Sequence, residues 1–172
     1  MEPEALRALQ TPLKEGYKAD PKSALVGARA EGLIEGDGIE CRVHTHVGES
    51  VVGLHRAAGG DGTVACSADM LMEALAGCAG VTMKAVATAM RLPFTRARVV
   101  AEGTWDARGT LAVDREVPVG LTDVTLTFEI ESDAAPEKIA KLVDLTERYC
   151  VVYQTLAASP RLETPTKITP GG

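Results

Sequence analysis

A chain of 172 residues, 45% hydrophobic and 24% charged, has the balance of an average water-soluble globular domain and is long enough to bury a core without disulfide or metal staples. Its 18 Lys and Arg against 24 Asp and Glu leave a formal net charge of −6, which argues against sequence-independent binding to nucleic acid or to an anionic membrane, both of which need basic patches. The four cysteines, Cys41, Cys66, Cys78 and Cys150, are too few for a disulfide scaffold and include no CxxC pair, which weighs against a zinc knuckle, an iron–sulfur cluster or a thioredoxin-type motif.

The N-terminal MEPEALRALQ lacks a basic segment followed by an apolar one, so no signal peptide is visible and a cytoplasmic protein is expected. Residues 1–22 are short of β-branched side chains and broken by Pro12, Gly16 and Pro21. They read as an extension with one helical turn around Glu4 to Leu9, ahead of a single domain over 23–172. From Ser23 the pattern changes to alternating and β-branched residues. Ser23–Ile34, Ile39–Val47 and Ser50–His55 are separated by Gly36-Asp37-Gly38 and Gly48-Glu49, which predicts a three-strand meander. A flexible loop through Gly59-Gly60-Asp61-Gly62 follows. It lacks the lysine and hydroxyl of a phosphate-binding loop.

Ser67 to about Arg91 is the strongest predicted element, a helix with Ser67 as its cap, Asp69 in its first turn and Leu92-Pro93 beyond its end. Past that turn only Glu73, Lys84 and Arg91 interrupt its apolar surface, so it reads as buried on every side, within the domain or between subunits, and as a poor membrane span. Strands are expected over Ala97–Asp106 and Leu121–Glu131, the second with clear alternation. Ser132 to Glu137 then opens a helix through Leu145, with Pro136 in its first turn. A short helix over Cys150–Ala157, a last strand near Leu162–Ile168 and a flexible Pro170-Gly171-Gly172 tail complete the order. Hairpin-linked strands interrupted by helices indicate an α+β fold.

Position alone leaves each thiol open to two readings. Cys78, in the middle of a buried helix among small residues, can be packing; Cys150, at the start of a short helix, can be structural or can be ionised by the helix N-terminus. The run Ser67-Ala68-Asp69-Met70-Leu71-Met72-Glu73-Ala74-Leu75-Ala76-Gly77-Cys78 resembles the reactive-cysteine helix of the OsmC/Ohr family (osmotically inducible protein C and organic hydroperoxide resistance protein). Cys150-Val151-Val152-Tyr153-Gln154-Thr155-Leu156 resembles the second cysteine motif of that family, with Val151 standing where proline is usual. The resemblance runs over roughly residues 23 to 169 and implies an OsmC-like fold that pairs into an intertwined homodimer with its sites at the subunit interface.

What it implies chemically is reduction of organic hydroperoxides, with Cys78 peroxidatic and Cys150 resolving through a Cys78–Cys150 disulfide. An external dithiol, in the family often a lipoylated protein, would regenerate the enzyme, and no cofactor is implied. A peroxidatic sulfur must be ionised, and a mid-helix position offers little help from its own helix dipole, so a cation is expected beside Cys78. The resemblance assigns that role to Arg56, held by the carboxylate of Asp69, with Arg29 as the alternative if the site is of the Ohr type. Cys41 and Cys66 read as bystanders.

Three other readings fit parts of the sequence. A catalytically silent protein of the same fold would use the dimer cavity for a small apolar ligand. His44 and His46 share one strand face, and with His55 could be metal ligands, but no further ligand is close in sequence. A Cys/His hydrolase built on Cys78 has no histidine indicated nearby. Trp105, Tyr149 and Tyr153 read as packing residues in a chain with only 3% aromatics, whose core must come chiefly from Val, Leu and Ala.

Overall fold

The computed structural model describes residues 1–169; the predicted Pro170-Gly171-Gly172 tail lies outside the described residues. Helix α1 spans Pro3–Ala19, followed by a 3₁₀ turn at Pro21–Ala24. Strands β1 (Glu31–Leu33), β2 (Glu40–Thr45), β3 (Gly48–Gly53) and β4 (Ala65–Cys66) form one sheet in that order, antiparallel except for the parallel β3–β4 edge. Helix α2 covers Ser67–Met90. The antiparallel ribbon of β5 (Arg96–Thr104) and β6 (Asp123–Glu131) follows, interrupted by the one-turn α3 (Ala107–Thr110). Helices α4 (Pro136–Tyr149) and α5 (Val151–Ala157) close the fold. The architecture is α+β.

The core forms where α2 crosses the β5–β6 ribbon and meets α4 and α5. One cluster joins Met83, Ala87 and Leu92 to Leu142 of α4; the other joins Leu75 and Ala79 to Cys150, and both lean on Val99 and Phe128 of the ribbon. Leu75, Ala79, Met83 and Ala87 recur every four residues, so they stack on one face of α2. Within one protomer the helix is therefore buried along one stripe. Its opposite face, with Ala74, Gly77 and Val81, is exposed, Val81 by 74%. By length and composition alone α2 could cross a membrane; here it packs on the ribbon and on the two C-terminal helices.

Several expectations are corrected. Residues 3–19 form a full helix rather than one turn: a segment poor in β-branched residues suits a helix, Pro3 sits in its first turn, and the carbonyl that Pro12 leaves unpaired is on an exposed face where water can reach it. The first strand is three residues long, not twelve. Glu31 already pairs with His44 and β2 ends at Thr45, so the chain before Glu31 has no strand to bond. No strand forms over 162–168, where Pro165 would remove a ladder donor. The N-cap of α2 is Cys66, not Ser67, and no side chain caps it.

Candidate active site

The α4–α5 junction is a single residue. Cys150 caps both helices, donating its N–H to the Thr146 carbonyl at 2.9 Å and accepting the Gln154 N–H on its own carbonyl at 3.0 Å. Gln154 Nε2 donates to the Glu147 carbonyl at 2.9 Å across the bend, which fixes the angle between the helices. Cys150 is completely buried and its Sγ accepts the Tyr153 N–H at 3.4 Å. Cys78, halfway along α2, is half-buried and packs in the same cluster, with Val99, Ala101, Leu126 and Phe128 of the ribbon and Val152 and Tyr153 of α5 around the pair. Two thiols far apart in the chain thus meet at the N-terminus of α5, and both are free.

Their surroundings drive their acidities apart. Burial opposes ionisation of Cys78, yet hydrogen bonding from Val152, Cys150, Val151 and Thr82 outweighs it and lowers its pKa. Burial pushes the Cys150 thiol above that range, and the neighbouring Cys78 sulfur adds to the rise against the Tyr153 and Val152 N–H groups. Cys78 is therefore the sulfur that ionises first and the more exposed of the two, while Cys150 stays a thiol beneath it. A nucleophile at the surface with a protonated partner behind it is an arrangement suited to thiol–disulfide chemistry.

None of the groups acting most strongly on Cys78 is a cation. Arg56 lies in a 3₁₀ turn after β3, with its guanidinium over Gly62, whose φ of +76° and missing Cβ allow that approach. Arg29 precedes β1 and pairs with Glu31 at 2.5 Å on the surface. Asp69 lines a groove with Met72, Glu73, Arg98 and Glu102. Nine residues of helix put Asp69 about 13.5 Å along the axis from Cys78 and half a turn around it. Within one protomer, then, Cys78 and Cys150 pack together, Arg56 lies over Gly62, Arg29 pairs with Glu31, and Asp69 stands two and a half helical turns before Cys78.

A helix N-terminus was legible at Cys150, and there the third N–H of α5, that of Tyr153, is donated to the Cys150 sulfur. The histidines take other roles. His44 pairs with Glu49 at 3.3 Å, and His55 accepts the Ala57 N–H and meets Trp105 edge-on at 5.5 Å. Among the described residues no group of three or more His, Cys, Asp or Glu is placed to hold a metal ion. Beside the thiol pair, a groove of about 740 Å³ runs between α2, β6 and α5, lined by Leu71, Leu75, Leu126, Tyr153, Leu156 and, at its rim, Glu147.

The sequence model of OsmC-like proteins matches residues 60–164, more than half of the chain. Among solved structures, the fold is similar to an OsmC-like protein from Mycoplasma pneumoniae, at 15% identity and a TM-score of 0.65, covering 78% of this chain and 89% of that one. It is also similar to organic hydroperoxide resistance proteins from two further bacteria. The one from Legionella pneumophila has 18% identity and a TM-score of 0.62, over 78% and 92% of the two chains. The one from Elizabethkingia anophelis has 15% identity and a TM-score of 0.64, over 79% and 91%. No curated protein sequence matches the chain.

Proposed function

The chain belongs to the OsmC-like protein family, and from that premise we propose that it is a thiol-dependent peroxidase that reduces organic hydroperoxides to alcohols. In this reading the Cys78 thiolate attacks the distal peroxide oxygen, the O–O bond breaks, and the departing alkoxide takes a proton to leave as the alcohol. Cys78 becomes a sulfenic acid. The Cys150 sulfur then displaces its hydroxyl as water, forming a Cys78–Cys150 disulfide, and an external dithiol, of the kind a lipoyl group carries, restores both thiols.

The observation that carries this reading is the packing of half-buried Cys78 against fully buried Cys150 in one cluster. In the same reading the protein is a cytoplasmic homodimer, with Arg56 and Asp69 serving the Cys78 thiolate at a site on the subunit interface. The exposed stripe of α2 beside Cys78 supports pairing there. Treating the reduced protein with one equivalent of cumene hydroperoxide should give a Cys78–Cys150 disulfide on peptide mapping, and Cys78→Ser should abolish peroxide consumption. Thiols that stay reduced under excess peroxide would sink the proposal. Arg56→Met should slow turnover by orders of magnitude; if Arg29→Met does so instead, the first-strand arginine is the activating group.

A second reading rests on the groove beside the thiols, lined in part by leucines: a silent member of the family that binds a small apolar ligand there or in the dimer cavity. It predicts saturable binding of such a ligand in a protein that leaves cumene hydroperoxide intact.

A further inference from the structure

His55 and Trp105, which the thiol chemistry does not use, meet edge-on beside a second cavity of about 340 Å³. It lies between the 3₁₀ turn after β3, the first turns of α2 and the two ends of the loop that joins β5 to β6. Apart from Leu71 and Leu121, none of its walls belongs to the groove beside the thiols. Backbone hydrogen bonds hold the walls in place. The His55 carbonyl accepts the Ala58 N–H at 2.8 Å and the Gly60 N–H at 3.0 Å, and its ring Nδ1 accepts the Ala57 N–H at 3.0 Å. Across the cavity the Thr122 N–H donates to the Thr104 carbonyl at 2.8 Å, which ties together the segments that carry Trp105 and Leu121. The space is therefore formed before any ligand arrives, and Ala58 and Ala68 in its walls are too small to fill it.

The chemistry of the walls selects an occupant. Leu54, Leu71, Val119 and Leu121 give the cavity an apolar surface, and the first three remain exposed to solvent. Among the described residues no Asp, Glu, Lys or Arg lines it, so a charged ligand would lose its water without meeting a counter-charge. One donor is left unspent. Because Nδ1 of His55 accepts, the neutral ring carries its proton on Nε2, and that group has no partner among the described residues. Mostly apolar walls with a few placed polar groups are the usual make-up of a small-molecule site. We propose that this cavity binds a small uncharged ring compound bearing an oxygen acceptor, such as a ketone. Its hydrocarbon body packs on the leucines and Val119, and its oxygen accepts a hydrogen bond from His55 Nε2. The site uses neither thiol and does not rest on the peroxidase reading.

Trp105 is the only tryptophan in the chain, so its indole N–H gives a single peak in a proton–nitrogen correlation spectrum of the full-length protein. Cyclohexanone added at about pH 8, where an imidazole is neutral, should move that peak saturably, with a Kd of about 1–10 mM for so small a ligand. Ala68→Phe, or Ala58→Leu should the first not fold, fills the cavity and should abolish the movement. His55→Phe keeps a ring against Trp105 but removes the donor, and should weaken binding about fivefold. Cyclohexanecarboxylate, the same ring with a charge, should bind at least about tenfold more weakly than the ketone. A peak that stays still up to about 100 mM cyclohexanone, or moves equally in the filled variant, overturns the site. A carboxylate that binds as tightly as the ketone overturns the ligand class, and unchanged binding to His55→Phe overturns the donor. Peroxide is absent from this experiment, so a chain that binds cyclohexanone yet leaves cumene hydroperoxide intact refutes the peroxidase reading alone.

Discussion

Two halves of this molecule are built to different standards of completeness. Between Leu75 and Cys150, α2, the β5–β6 ribbon and α4 enclose every fully buried residue, and the reactive pair sits at one end of that core. The sheet of β1–β4 buries none and leaves Leu33 and, in its loops, Ile34, Ile39, Val47 and Leu54 open to solvent. Three full strands without a covered face are marginal by themselves. The difference teaches that one chain suffices to bring the two thiols together, while the sheet and the exposed stripe of α2 still lack a covering surface, which the proposed homodimer would supply.

The sharpest way to break that contrast is to spoil the open stripe. Val81→Glu should leave the fold of one protomer intact but weaken dimerisation by roughly 10²–10³-fold, the effect of about 3–5 kcal/mol for a buried unpaired charge. Light scattering after size exclusion would show the unaltered chain at twice its 18.0 kDa mass and the variant at that mass. Equal masses would leave the stripe without a partner copy.

Next in size is the internal core. Leu142→Ala, at a fully buried site, should cost about 2–5 kcal/mol of unfolding free energy in urea. Val43→Ala, on the half-covered face of β2, should cost less than about 1.5 kcal/mol in a dilute monomer and more where copies pair. Equal costs under dilution would mean that the sheet has a core of its own.

A smaller effect follows from the acidified thiol. A group whose folded pKa is depressed stabilises the native state fully above its unfolded pKa and loses that contribution as pH falls through the folded one. The stability of the protein relative to Cys78→Ser should therefore increase as pH is raised from 6 towards about 8.5, a range in which the raised Cys150 stays protonated in both. A difference that stays flat across this range would show that the folded environment does not favour the thiolate. Smallest of all, Glu4→Ala removes the exposed pair with Arg91 that ties α1 to the end of α2, and should lower the urea midpoint only slightly.

Legibility followed the same division. The long helix, the alternation of β6 and the helix opening at Pro136 were readable because each is specified by local periodicity and capping chemistry. The first strand was overread because its length is set by where β2 ends, and the N-terminal helix was underread because Pro12 looked like a break. Of the candidate site, Cys78 and Cys150 were nameable from the residues around them, and the structure brings them into contact. Arg56 and Asp69 were nameable in the same way, and their part at the sulfur belongs to the proposed function.

The sequence alone determined that the chain is acidic, α+β and built around one apolar helix bearing a central cysteine, since these depend on composition and on periods of two and 3.6 residues. Only the tertiary structure decided which thiol is acidified and by what. The expectation was a cation, because a mid-helix sulfur gains little from its own helix. Within one protomer the Cys78 pKa is lowered against burial by hydrogen bonding from Val152, Cys150 and Val151, some seventy residues later, and from Thr82. Backbone groups leave no signature in a sequence, and folding alone brings the free end of one helix against the middle of another.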